Sequence, residues 1–421
     1  MPFRALLAQR DFRWLWIGQI CSNLGDRLTQ MILIAVVGTR APGSTVALAT
    51  IMTWTVVPAF LVSPVAGAAV DRWDRRRTMV VSDLARSLGV LALPLLTRWP
   101  AMAPLNTLVF LLFAIACFFL PARLALTPAL VAPDALVAAN SLMTTSGMIG
   151  ATISMLVGGL LVERVGVPTS CVLAAVAYVA SAGCVLAVRH RAPPSTGTGY
   201  TRVPGTGLSL LADIGEGFHH CFSHAPARFV LYVLFLLMVA SGAIFVVATV
   251  MVQQALGSVT RDLGVFSVMI GLGLFLGTVG YGRFGSRWDK PRLILWCLVA
   301  CGLCLGAFAW GVGLRHSWRA GMVTTLLVGA VVAPIGTAVN TMIHELVHDR
   351  LWGRVFSAMG IVMNAAMLVG LWTAGLVAVR ITPVGTLAAV SGLLAVGGAL
   401  GLALRGAHRR PPASTRGIML S

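Results

Sequence analysis

Residues Gly67–Met79 read Gly-Ala-Ala-Val-Asp-Arg-Trp-Asp-Arg-Arg-Arg-Thr-Met. Apolar runs precede and follow this stretch, so four arginines and two aspartates are compressed into a turn between two hydrophobic segments. Such a turn belongs in water at a membrane surface, and an excess of Lys and Arg marks the cytoplasmic side. Taken alone it is a topology signal. The pattern returns, however: Arg72-Trp73-Asp74-Arg75 matches Arg287-Trp288-Asp289-Lys290 at an offset of 215 residues. The same offset pairs Arg13-Trp14 with Arg228-Phe229, Gly67 with Gly282, and Asp134 with Asp349. One register held at four separated places implies two halves of similar plan and orientation, a recurrent transporter architecture.

Composition agrees with a membrane chain. Of 421 residues, 58% are hydrophobic and 10% charged, and the mean hydropathy is +0.90. Soluble domains carry about 25% charged residues. A membrane span needs roughly 20 apolar residues and tolerates the Gly and Pro abundant here. The net charge of +18 comes from 31 basic residues. The positive-inside rule and anionic inner-leaflet lipid account for it. No aromatic base-stacking surface interleaves the arginines, so nucleic acid is not an expected partner. The eight cysteines lie almost wholly in apolar runs. Cys297, Cys301 and Cys304 share a helical face of Leu, Gly, Ala and Val, a setting for packing rather than redox or metal chemistry.

Hydrophobic runs predict twelve spans, near 14–38, 45–70, 79–97, 104–122, 138–161 and 168–188, then 229–252, 263–282, 292–314, 319–343, 354–379 and 384–404. The expected organisation is an N-terminal six-helix half (1–189), a linker (190–227), a C-terminal six-helix half (228–405) and a tail (406–421). Within the linker, Leu211, Ile214, Phe218 and Phe222 recur at helical spacing, which predicts a short interfacial helix. With both termini cytoplasmic, only Arg40, Arg98, Arg164, Arg261, Arg315, Arg319 and Arg380 fall outside. Arg27 and Arg86 fall within spans, and the other basic residues lie inside. The reverse orientation inverts this ratio, so termini-inside in a bacterial inner membrane is the expected topology.

At these residues the sequence resembles the major facilitator superfamily. The family's loop between helices 2 and 3 reads Gly-x-Leu-Ala-Asp-Arg-x-Gly-Arg-Arg/Lys. Gly67, Asp71, Arg72, Arg75 and Arg76 match it, while Ala69 and Asp74 depart. The Asp-Arg-Trp-Asp-Arg-Arg variant resembles the drug:H+ antiporter branch that includes macrolide and enterobactin exporters. Asn23-Leu24-Gly25-Asp26, Pro121-Ala122-Arg123 through Ala139-Asn140-Ser141, and Gly353-Arg354-Val355-Phe356-Ser357 agree with that branch. Gly158-Gly159 is also present, although the Gly-Pro that antiporters often carry before it reads Ser154-Met155. The resemblance implies alternating access, a small-molecule substrate and protons as coupling ion. It also implies that Asp71 caps the start of helix 11 when the inner side is closed, a favourable place for a carboxylate.

Asp26 is the sharpest chemical candidate. It falls midway along the first span, where an ionised carboxylate is expensive and usually faces a cavity on a coupling path. Its plain alternative is a structural ion pair with Arg27 or another base. Neighbours on a helix point about 100° apart, so Arg27 is poorly placed for that. Asn23, Asp26 and Arg27 are therefore the expected coupling or substrate residues. Asp83 and Arg86 share one helical face near the inner end of the third span. They read either as a structural pair near the surface or as part of a cytoplasmic gate with Gly67, Asp71, Arg72, Arg75, Arg76 and Arg123. Gln19, Gln30, Trp54, Asn340, Met363 and Asn364 are candidates for lining a central cavity, or else ordinary packing. An apolar cavity with few polar groups suits amphipathic ligands.

His344-Glu345-Leu346-Val347-His348 spells a zinc-protease motif. A third ligand is required, and after Asp349 the chain offers only His408, so no metal and no enzyme are expected. A P-loop, a nucleophile elbow and a dinucleotide fingerprint are absent from the sequence. The expectation is an all-α membrane protein with twelve transmembrane helices, a monomer needing no cofactor. It would export a drug, toxic metabolite or siderophore by proton antiport. A lysophospholipid or other lipid flippase of the same fold is the alternative.

Overall fold

The computed structural model describes residues 2–97, 99, 101–189, 222–223, 225–285, 288–346 and 352–407. A short helix α1 (Pro2–Ala8) leads into α2 (Arg10–Arg40). Next come α3 (Thr45–Leu61), α4 (Ser63–Arg72), α5 (Arg75–Leu96), α6 (Ala103–Leu130) and α7 (Leu136–Leu186). The second half holds α8 (Ala225–Leu256), α9 (Arg261–Phe284), α10 (Lys290–Phe308, extended by a π-helical turn, Ala309–Leu314), α11 (Trp318–Leu346) and α12 (Trp352–Ala407). The interfacial helix expected in the linker lies largely outside the described residues, as does the tail from 408.

These helices make twelve membrane crossings among the described residues. Helices α3 and α4 form one crossing, bent by 54° where Pro64 cannot continue the hydrogen-bond ladder of α3. Helices α7 and α12 each hold two crossings. The first breaks at Gly166 (φ 78°), the second at Ile381 and Thr382 (φ 72°), and a proline restarts the chain two residues or one residue later. The breaks lie 215 residues apart in register, since Gly166 corresponds to Ile381. Glycine takes a positive φ at no steric cost, whereas a β-branched threonine there is strained.

The backbone of the helix starts repeats too, although only Asp74 caps with its side chain. Asp74 precedes α5 with φ −64° and ψ 112°, and its carboxylate accepts from Arg77 N at 2.8 Å. Asp289 precedes α10 with φ −63° and ψ 112°. The repeated charged turn is thus a repeated helix start. Arg76 adds a second structural contact: its guanidinium donates to Val185 O at 3.1 Å and to Leu186 O, satisfying the end of α7.

Among the described residues, the side-chain ties between the halves lie toward the face opposite the chain termini. There Val246, Val250 and Leu371 of the second half join the core built from α2, α3, α5, α6 and α7. At the first seam, Thr45 Oγ1 of α3 donates to Gly375 O of α12 at 2.8 Å. At the second, Thr260 Oγ1 donates to Gly159 O of α7 at 2.8 Å. Thr45 and Thr260 are equivalent under the 215-residue offset. At the second seam a Cβ on Gly264 would stand 2.8 Å from Met155 O and 3.0 Å from Leu156 Cα, so two backbones meet directly. Toward the terminal face the halves separate. A Cβ on Gly150, Gly280, Gly336 or Gly360 would meet nothing within 4 Å. The two seams form a seal between the halves on the face opposite the termini.

Candidate functional site

Helices α2, α5 and the second limb of α7 cross beneath the seal and bring together a charged cluster. Asp83 lies on α5, which begins at Arg75, four residues earlier than the hydrophobic pattern indicates. That start sets Asp83 and Arg86 more than two turns inside the helix. The inner-surface position read from the sequence is therefore corrected: Asp83 is 0% and Arg86 2% exposed.

Arg86 bridges two carboxylates. Its Nη1 donates to Asp26 Oδ1 at 2.6 Å, and its Nη2 pairs with Asp83 Oδ1. The bridge is held by neutral donors. Ser181 Oγ donates to Asp83 Oδ2 at 2.6 Å, Ser22 Oγ donates to Asp83 Oδ1 at 3.1 Å, and Tyr178 Oη donates to Asp26 Oδ1 at 2.8 Å. The Arg86 guanidinium also lies over the rings of Tyr178 (4.7 Å) and Phe119 (5.2 Å). The Tyr178 ring reaches this place because residue 25 is glycine: a Cβ there would stand 2.7 Å from the ring.

The two acids differ in access. Asp83 is enclosed and accepts from two hydroxyls and a guanidinium. The Asp26 side chain is 39% exposed. Two carboxylates thus share one guanidinium, and Asp26 is the more accessible of the two. Buried charges inside a membrane are tolerated only when paired or facing water.

Asp26, Asp83 and Arg86 are thus brought together, and among the described residues no ion pair joins them to Asp71 or Arg123. Arg123 donates to Gln19 Oε1 at 2.5 Å, and Gln19 Nε2 donates to Met143 O at 3.0 Å. That makes Gln19 a buried tie between α2, α6 and α7. Arg27 does not pair with Asp26; its Nη1 donates to Gln30 Oε1 at 2.9 Å. Asn23, Arg27 and Gln30 are half-buried along α2. Trp54 packs edge-on against Phe110. Asn340 is exposed, while Met363 and Asn364 are half-buried. At the terminal face Gly67 meets open space, Asp71 and Arg72 are exposed, and Arg75 Nε is buried without a partner among the described residues. The proposed contact of Asp71 with helix 11 falls on side chains before residue 358, outside the described residues. The side chain of His344 and all of His348 are outside them as well.

Sequence reasoning missed Ser22, Tyr178, Ser181 and Phe119. Ser22 carried a signal, standing one turn before Asp26 on the same face. Tyr178, one of four tyrosines in the chain, is a polar tip in an apolar span. Nothing local linked it to the first span.

Above the cluster, toward the seal, a cavity of about 180 Å³ is lined by Met31, Ile34, Phe245, Thr249, Phe266, Phe308 and neighbouring apolar residues. It is almost wholly apolar and belongs mostly to the second half.

The family model described as Major Facilitator Superfamily matches residues 15–315. A protein named multidrug efflux pump Tap, from Mycolicibacterium fortuitum, is 26% identical over 329 residues, covering 76% of this chain and 77% of that protein. The pump of the same name from Mycobacterium tuberculosis (strain ATCC 25618 / H37Rv) is 26% identical over 332 residues, covering 76% of each. Among solved structures, the nucleoside transporter NupG superposes with a TM-score of 0.75 at 12% identity, covering 95% of this chain and 99% of that one.

Proposed function

This chain belongs to the Major Facilitator Superfamily, and on that premise we propose that it exports a hydrophobic or amphipathic small molecule in exchange for protons. The protein is a multi-pass membrane transporter and not an enzyme. Drug export is supported by the relatives named as multidrug efflux pumps, and the apolar cavity has the character such cargo needs. The distribution of arginines favours a cytoplasmic terminal face, which makes the present conformation inward-open. The protein works as a monomer in a bacterial inner membrane.

The observation that carries the coupling is the unequal access of two acids sharing one arginine. In the inward-open state Asp26 is ionised and takes a cationic or polar group of the cargo. The halves rock, the seams at Thr45 and Thr260 part, and the cargo leaves outward. A proton from outside then neutralises Asp26. Arg86 stays compensated by Asp83 throughout, so protonation of Asp26 leaves this cluster without net charge on the return step. Asp71, with Arg72 and Arg75 beside it, forms the inner gate as the halves close on that face.

Dye efflux from cells producing wild type or Asp26→Asn, with and without a protonophore, tests this. The expected result is efflux that either perturbation abolishes, at equal protein levels. Protonophore-sensitive efflux that persists in Asp26→Asn would remove Asp26 from the coupling path.

A further inference from the structure

Arg27 is a cation in helical register with the cavity-lining residues of α2, and the mechanism above does not use it. Residues 27, 31 and 34 follow i, i+4 and i+7 spacing, so Arg27 shares the face of α2 on which Met31 and Ile34 line the apolar cavity. Met31 stands about 6 Å and Ile34 about 10 Å further along the helix axis. Among the described residues Arg27 forms no ion pair, and its hydrogen bond goes to the neutral Gln30. Asp26 is bonded to Arg86 and Tyr178 rather than to Arg27. Among the described residues the second half offers no unpaired acid, since Asp262, Asp289 and Glu345 pair with Arg261, Arg292 and Lys290 at helix ends. A guanidinium at membrane depth is costly without an anion. A planar fork of donors is suited to receiving one.

We propose that Arg27 binds an acidic group of the cargo, a carboxylate or a group of like chemistry, while the cargo's apolar end enters the cavity above. The inference rests on the export reading and names its substrate class. An engineered cavity of about 150 Å³ accommodates benzene, so the space here takes roughly one ring-sized group. The acid then lies about two helical turns below it. A purely anionic cargo would bind better when Asp26 is protonated, the opposite of what exchange requires. The cargo therefore also carries a cationic or polar group for Asp26, which makes it a zwitterionic amphiphile.

The test is binding of two rhodamine dyes to purified protein by fluorescence anisotropy: one with a free aryl carboxylate, and its methyl ester. Wild type should hold the acid about tenfold more tightly than the ester, the worth of one charge-assisted contact. Arg27→Gln should weaken the acid to the level of the ester and leave the ester unchanged, and Arg27→Lys should keep part of the preference. Asp26→Asn should weaken both dyes alike and preserve their ratio. Equal binding of acid and ester by wild type, loss of both dyes alike in Arg27→Gln, collapse of the ratio in Asp26→Asn, or no binding of either dye would each overturn the assignment. The proton-exchange reading fails on a separate readout, efflux that ignores the protonophore.

Discussion

The two halves share a scaffold and divide the chemistry. At the offset of 215 residues, Ser22, Asp26, Asp83 and Arg86 of the first half become Leu237, Ser241, Leu298 and Cys301 of the second. Leu298 and Cys301 are as buried as their charged counterparts, and they sit in a continuous apolar core. The backbone devices do repeat: the helix starts at Asp74 and Asp289, the breaks at Gly166 and Thr382, and the seams at Thr45 and Thr260. The lesson is that this fold does not require a buried ion cluster, because the second half packs the same helices without one. The charges in the first half therefore call for a functional explanation, while the second half lines most of the apolar cavity.

Breaking that comparison should give the largest effect. Arg86→Leu leaves an enclosed carboxylate uncompensated and should cost about 3–5 kcal/mol, read as a lower unfolding temperature in detergent. Installing the second half's solution, Asp83→Leu with Arg86→Cys, should recover much of that stability while export stays absent. Cys301→Ala in the second half should cost no more than about 2 kcal/mol. If the double variant were as unstable as Arg86→Leu, the cluster would be part of the scaffold.

The seams come next. Gly264→Leu places a side chain where α9 meets α7 backbone to backbone, so the outer seal cannot close. Labelling of cysteines placed in the cavity should then rise from outside and fall from inside. Gly166→Val forces a β-branched residue into a left-handed conformation and should cost about 1–2 kcal/mol. Tyr178→Phe removes one donor from Asp26 and should cost about 1 kcal/mol, with efflux reduced but not lost. The smallest effect is at the second break. Thr382 is strained at φ 72°, and its Oγ1 accepts from Gly385 N at 3.3 Å. Thr382→Asn keeps an acceptor in a residue that tolerates this region and should raise stability by a few tenths of a kcal/mol.

Much of this was legible in the chain. Apolar runs predicted the crossings to within a few residues, except that the fourth helix runs on to Leu130, eight residues past its expected end, because a membrane helix satisfies its own backbone and needs only length and hydropathy. The repeat offset exposed the two halves. Asp26 stood out as a carboxylate in an apolar run. Its partner did not: Arg86 lies 60 residues away, and only the packing of α5 against α2 brings them together. The depth of Asp83 was misread because Arg75–Thr78 looked like loop, whereas Asp74 caps a helix that starts there. The seams were illegible for the same reason as the triad, since each joins residues more than 100 positions apart.

The most direct test of the central claim is proton movement driven by cargo in proteoliposomes containing a trapped pH indicator. Wild type is expected to exchange protons when a transported dye is added. Asp26→Asn is expected to bind the dye and move no protons. Proton movement of wild-type size in Asp26→Asn would contradict the account, because the more accessible acid of the cluster would then not be the one that carries the proton.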